Sequence, residues 1–365
     1  MSKFKIDYAC FLNSSGYSFA AQNYLMALYK TGECDIKITI FGSKPSKPAI
    51  SDKNYEFFMK MVKKEEDPER ILIYHCIPNM QRRIKKPKRS IGFGVFETFQ
   101  PPESWIQVLN QNDAIITPSQ FNYRIFSHEK IEKPIYYIPH CIDTDIYNKK
   151  VLPMYNHDKY TFLFLGTWKE IKGYKQLFEA WLREFSEEDN VRLLVKTDRP
   201  KKAEAYLFDI MNRLGIDKGN APVIFENKVF DEKELPNFIK SADCLVAPTM
   251  GEGFGYPGLQ CMALGVPVII TDHSGCQDYA NHETAILLKT SGFVACSNMD
   301  NIPQFRNKKW AFIEVDKIRK AMRYVRNNPD EVKMRAGVAH RYASSRFNHA
   351  EIGKSFMRML RELYD

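Results

Sequence analysis

The chain has 365 residues, 44% apolar and 13% aromatic, enough for sizeable cores in about two domains. With 27% charged residues, 18 Gly and 19 Pro, the composition excludes disordered, collagen-like and low-complexity chains, and a net charge of +9 points to an anionic partner: nucleic acid, an acidic membrane surface or a phosphorylated small molecule. No apolar run approaches the roughly 18 residues that span a bilayer, and Asp7 interrupts the opening MSKFKIDYACFL where a signal peptide needs an unbroken stretch, so a cytoplasmic protein is expected. Apolar, β-branched and aromatic runs predict strands at 36–41, 71–75, 91–96, 114–117 and 135–138, with helical segments between several of them. After the polar stretch KKVLPMYNHDK at 149–159 a second series follows: 161–165, 191–196, 223–225, 244–247 and 267–270. This alternation predicts an α/β chain of two Rossmann-like, doubly wound domains meeting at a cleft, with a boundary near residue 150. Tyr174, Leu177, Phe178, Trp181, Leu182 and Phe185 fall at helical spacing, as do Ile352, Phe356, Met359, Leu360 and Leu363 in a terminal helix that must dock somewhere. The eight cysteines show no Cys-x-x-Cys pair and read as reduced, mostly buried thiols.

The most informative stretch is ADCLVAPTMGEGFGYPGLQCMALGVPVIITD at 242–272, a buried strand, a glycine-rich loop, a short helix and another strand. Gly251, Gly253 and Gly255 permit close backbone approach. Pro257 suits a helix start and Gly265 its stop, which predicts a helix from about 257 to 264 with its positive end toward the loop. Such an end is suited to an anion, and loops at the carboxyl ends of parallel strands are where α/β proteins bind ligands. Glu252 is a carboxylate in that loop.

This stretch resembles the signature of the retaining glycosyltransferases of family 4, E-G-F-G-x-P-x-x-E-A-M-A-x-G-x-P-V, with Gln260 in place of the second glutamate. The resemblance implies the GT-B fold, with 1–150 as the acceptor-side domain, 151–345 as the nucleotide-sugar domain and 346–365 as a terminal helix docking back on the first. It also implies that Glu252, with the backbone of Gly253, Phe254 and Gly255, holds the donor sugar, and that Gln260 reaches the ribose. LGTWKEIKG at 165–173 resembles G-R-L-x-x-x-K-G: Lys172 is the diphosphate cation, and Thr167 replaces an arginine whose place Lys196 or Arg199 could fill, although such residues are more often ordinary surface residues. Backbone near Lys228 and Val229 would meet the base, and SGCQD at 274–278 resembles S-G-x-x-E with Asp278 for Glu.

In the first half, NSSGYSFAAQNYLMAL at 13–28 resembles the family's glycine loop, in which Gly16 approaches the phosphates; a turn capped by Ser14 or Ser15 is the plainer alternative. His75 ends its strand either as a structural residue or near the reacting sugar. FETFQPPESW, TPSQFN and IPHCIDTDIY resemble further family segments, with Cys141 for a usual glycine; Glu97 is an acceptor-side candidate or a solvated loop acid. The basic run Arg82–Arg89 is a solvated loop or a rim for an acidic acceptor or anionic membrane, and no motif of a nucleic-acid binder accompanies it.

The function implied is transfer of a hexose-type sugar, with retention, from a nucleoside-diphosphate sugar to a hydroxyl of a glycan, lipid or other acceptor. UDP-sugar is favoured, GDP-mannose next, with no metal and no further cofactor. The alternatives are a degenerate GT-B protein that binds without transfer, suggested by Gln260, Thr167, Asp278 and Cys141, and an epimerase or phosphorylase of the same architecture.

Overall fold

The computed structural model describes residues 3–42, 52–83, 87–216, 219–296 and 303–365. The chain divides into two compact units, Met1–Asp145 with Phe230–Lys233 and Ser345–Asp365, and Ile146–Val229 with Glu234–Ser344.

The first unit holds strands β1 (Phe4–Cys10), β2 (Cys34–Ile40), β3 (Ile71–His75), β4 (Ser90–Phe93), β5 (Ala114–Thr117) and β6 (Ile135–Tyr137), with helices α1 (Gly16–Lys30), α2 (Asp52–Val62), α3 (Glu103–Leu109) and α4 (Gln120–Ser127). All strand pairs are parallel, in the order β2-β1-β3-β4-β5-β6. Two of these strands differ from the sequence pattern. Strand β1, flanked by β2 and β3, is missing from the predicted series because Lys5 and Asp7 break its apolar run; Ile6, Tyr8, Ala9 and Cys10 are nonetheless buried. β4 stops at Phe93 rather than 96, and beyond it the Gly94 N–H still donates to the Ile116 carbonyl.

The second unit repeats the architecture with β7 (Tyr160–Leu165), β8 (Val191–Lys196), β9 (Val223–Glu226), β10 (Cys244–Ala247), β11 (Val268–Thr271) and β12 (Ile286–Leu288), again parallel, in the order β12-β11-β10-β7-β8-β9. Its helices are α5 (Tyr174–Glu184), α6 (Pro200–Leu214), α7 (Glu234–Lys240), α8 (Tyr256–Leu264), α9 (Val315–Asn327) and α10 (Pro329–Arg346). The apolar stripe of α5 is buried, and Phe185, just past the helix in extended conformation, is buried with it. A hairpin, β13 (Gly292–Ala295) with β14 (Lys309–Phe312), lies outside the doubly wound pattern.

Helix α11 (His349–Tyr364) is part of the first unit. Asn348 caps it by accepting from the Glu351 N–H, and Ile352, Phe356, Met359 and Leu360 are buried. At Gly353 a Cβ would come within 2.8 Å of the Ala27 carbonyl, so glycine is what lets α11 approach α1 closely.

In each sheet the strand order reverses once, between β1 and β3 and between β7 and β10. At such a point the following loops diverge to opposite faces and leave a crevice at the carboxyl ends of the strands, the usual ligand position in open α/β sheets. No helix of the described residues is long and apolar enough to cross a membrane.

Candidate functional site

Glu252 and Lys172 meet at the reversal point of the second sheet. Lys172 ends a short 3-10 turn, Glu170–Lys172, in the loop after β7; Glu252 stands in the loop after β10. The loops press together at Gly173, whose φ of +71° suits glycine and where any Cβ would collide with the Pro248 carbonyl. Lys172 Nζ donates to Glu252 Oε1 at 2.6 Å, with the side chains 23% and 14% exposed. A half-buried pair of this kind is tolerated because each charge neutralises the other and neither is left alone in a low dielectric.

Thr249, and Ser274 and Gly275 of the SGCQD segment, hold the carboxylate in place. The Thr249 hydroxyl lies 3.1 Å from Glu252 Oε1 and 3.1 Å from the Ile171 carbonyl. Ser274 Oγ accepts from the Glu252 N–H at 2.9 Å, and the Gly275 N–H donates to the Glu252 carbonyl at 3.0 Å. Ser274 is held at φ +60°, a conformation that costs a non-glycine residue about 1 kcal/mol. A Cβ at Gly275 would strike the Gly253 carbonyl, so the loop after β11 is packed directly on the Glu252 loop. Phe164, Lys172, Thr249, Glu252, Cys276 and Tyr279 are among the walls of a small pocket here. Burial pushes the Cys276 thiol and the Tyr279 phenol upward, so both stay neutral.

Helix α8 starts one residue earlier than predicted, at Tyr256, with Pro257 in its first turn and Gly255 as its N-cap at φ +94°. Gly255 supplies no side-chain acceptor to the first-turn N–H groups. The Tyr279 hydroxyl donates to the Gly255 carbonyl at 2.5 Å, and added Cβ atoms at Gly255 and Gly258 would come within 2.7 Å of that hydroxyl. Phe254 and Gly253 are buried under the loop. Gln260 is 4% exposed, and its amide donates to the Tyr147 hydroxyl at 2.9 Å.

The remaining candidates of this unit are more dispersed. Thr167 is exposed; the Trp168 N–H beside it donates to Asp198 at 2.6 Å. Lys196 is half-buried, and burial lowers its pKa against the pull of Glu226 and Asp198. Arg199 is exposed at the start of α6. Lys228 pairs with Glu234 at 2.6 Å, and Val229 is exposed. Asp278 is half-buried.

The first unit has its own reversal point, with Gly16 in the first turn of α1 and His75 at the end of β3. Ser15 caps α1 by accepting from the Ser18 N–H. Gly16 is exposed, its φ is outside the left-handed region, and a Cβ there would meet nothing within 4 Å, so neither strain nor packing calls for glycine. His75 is 1% exposed, with Nδ1 2.8 Å from the Tyr8 hydroxyl and its ring stacked on Phe93 at 4.1 Å. Burial lowers its pKa to about 3, so the imidazole is neutral. His140 Nδ1 lies 2.9 Å from the Tyr24 hydroxyl, which donates to the Ile138 carbonyl. Glu97 is half-buried close to Tyr17, whose phenol burial and the Glu97 charge both push upward. Of the run Arg82–Arg89, residues 84–86 and the side chains of 82 and 83 lie outside the described residues; Lys88 pairs with Glu69, and Arg89 lies 5.3 Å over the Tyr364 ring.

Sucrose-phosphate synthase from Thermosynechococcus elongatus superposes with a TM-score of 0.70 at 15% identity, covering 99% of each chain. HepE of Anabaena, solved in complex with UDP and glucose, superposes with a TM-score of 0.70 at 12% identity over 98% of this chain and 100% of its own. The fold is GT-B. On this GT-B chain, residues 159–298, which contain Lys172 and Glu252, match the family model of glycosyl transferases group 1. In sequence the chain is similar to an uncharacterized glycosyltransferase of Methanocaldococcus jannaschii, 26% identical over 195 residues, or 53% of this chain and 43% of that one. It is similar also to mannosylfructose-phosphate synthase of Agrobacterium fabrum, 26% identical over 172 residues, or 44% and 37%. These matches reach less than half the length of both relatives.

Proposed function

We propose that this protein is a retaining glycosyltransferase that moves a hexose-type sugar from a nucleoside-diphosphate sugar to an acceptor hydroxyl. One observation carries the reading: Lys172 and Glu252 are joined at the strand-order reversal of the second sheet, inside the segment that matches group 1 glycosyl transferases. The anomeric centre becomes cation-like as its bond to the diphosphate breaks, while negative charge grows on the departing phosphate. Lys172 and the uncapped first turn of α8 supply positive potential for that charge. Glu252 accepts from sugar hydroxyls and orients the ring. The leaving oxygen takes the acceptor's proton on the same face, so retention needs neither a metal nor a separate base. UDP-glucose is the first donor to try, because HepE was solved with that ligand; GDP-mannose is next. The acceptor is a glycan or lipid hydroxyl reached from the first unit, where Glu97 is the candidate.

The deciding experiment is the thermal stability of the purified protein with UDP, GDP, ADP and their sugar conjugates, with and without magnesium. A ligand that binds only the folded state at about 100 times its Kd adds roughly 2.7 kcal/mol. A selective, metal-independent rise with one base is expected. Gln260 favours a second reading, because an uncharged amide that donates to Tyr147 stands where the resembled signature has a glutamate: a protein of this fold that no longer transfers sugar. No rise with any nucleotide would put that reading first. Lys172→Ala should weaken nucleoside diphosphate binding, and unchanged affinity by calorimetry would remove Lys172 from the site.

A further inference from the structure

The hairpin β13–β14 adds two strands that take no part in either large sheet. A lone two-stranded ribbon is marginal in water, and β13 is exposed along its length. Trp310 on β14 is nevertheless 3% exposed. It is buried with Ile171 and Met250, and Phe305 and Phe312 pack against this cluster. Ile171 immediately precedes Lys172, and Met250 stands two residues before Glu252. The backbone repeats the connection: the Ala311 N–H donates to the Met250 carbonyl at 2.8 Å, and the Met250 N–H donates to the Ile171 carbonyl at 2.7 Å. One line of hydrogen bonds therefore runs from β14 through the loop after β10 to the loop after β7.

We propose that Trp310 is a positioning residue and that the hairpin is a strap holding the Lys172 and Glu252 loops in register. Lysine and glutamate side chains both lose rotamer freedom when fixed, so a short, repeatable geometry between them requires backbones that do not drift. Beside the Thr249 and Ser274 contacts described above, Trp310 and its strand tie both loops at once, through one side chain and one line of backbone hydrogen bonds. Its service to a donor site rests on the transferase reading, whereas the restraint on the loops stands without it.

The test is amide hydrogen exchange of the full chain in wild type, Trp310→Ala, Trp310→Phe and Ala311→Pro, followed by UDP titration. In Trp310→Ala and Ala311→Pro, peptides spanning 167–173 and 248–255 should exchange about tenfold faster while those of α6 and α7 keep their rates. Trp310→Phe, which retains an aromatic ring, should restore most of the protection. Trp310→Leu is the milder variant should Trp310→Ala fail to fold. Unchanged exchange in the two loops, or acceleration spread evenly over the second unit, would overturn the strap and leave Trp310 as ordinary core. Loosened loops in the variant, together with a wild type that binds no UDP, GDP or ADP, would uphold the strap and count against the donor site.

Discussion

Glu252 is held from four directions: by Lys172, by Thr249 and, through its backbone, by Ser274 and Gly275. A carboxylate fixed this firmly needs no reorganisation when substrate arrives. Replacing it with Ala should cost about 2.7–4 kcal/mol of transition-state stabilisation, the range for losing one preorganised polar contact; a transfer rate within about tenfold of wild type would remove Glu252 from catalysis. Gly16 makes the opposite kind of prediction. Its open surroundings mean that Gly16→Ala should leave the free protein as stable or up to about 1 kcal/mol more so, since alanine favours helix. On the proposed function nucleotide affinity should fall, because the added methyl would stand where the glycine loop approaches the phosphates. If calorimetry finds the affinity unaltered, the glycine loop does not touch the donor.

At the scale of elements, the loops matter more than the helices. Gly275→Ala puts a methyl against the Gly253 carbonyl and should displace the Glu252 loop, lowering UDP affinity more than it lowers melting temperature. A lowered melting temperature with UDP affinity unchanged would mean that the loop after β11 serves only stability. The doubly wound pattern and the Glu252 loop were legible because the information is local. Buried strands read as short apolar runs, and the order Gly, Glu, Gly, Pro, Gly specifies a turn entering a helix. What was not legible is non-local. β1 is paired on both sides in its sheet, yet Lys5 and Asp7 mask it. Thr249, Ser274 and Tyr279 reach the site through contacts with residues 3 to 24 positions away. Thr249 had a usable signal, a hydroxyl three residues before the motif acid, whereas nothing in the sequence around Trp310 points to Ile171. Gln260 read as a ribose contact from its motif position, and its partner Tyr147 is a distant residue that spacing does not reveal.

For the molecule as a whole, buried imidazoles set the response to acid. Burial lowers His75 to about 3 and His349 to about 4, and holds His140 well below its ordinary value, all in the first unit. The unfolded chain takes up these protons near pH 6.5 and the folded chain does not. Their stabilising contribution is thus present above about 6.5 and shrinks as pH falls toward each folded value, by up to about 1.4 kcal/mol per pH unit and group. Asp7 and Asp243, raised by burial, act with the opposite sign, but they are two carboxylates against these three imidazoles and His273, which burial also lowers. The urea midpoint should be clearly lower at pH 5 than at pH 7.5, and an equal or higher midpoint would contradict this account. Helix α11 is equally global in effect. Deleting residues 346–365 strips Ile352, Phe356, Met359 and Leu360 from the first core, at about 1.5–3 kcal/mol each, a loss comparable to the stability of a whole domain. The truncated chain should be insoluble or bind a dye for exposed apolar surface, and a cooperative melt near that of wild type would show that α11 is dispensable. The net charge of +9 gathers anions of every kind around the protein, but at the site Lys172 is already satisfied by Glu252. Inorganic phosphate or chloride therefore meets a lysine whose charge is already balanced, and has no sugar hydroxyl with which to use the carboxylate beside it. On the proposed function a nucleoside diphosphate sugar engages both members of the pair, its phosphates the lysine and its hydroxyls the acid, so the pair should favour the larger molecule over simple salts.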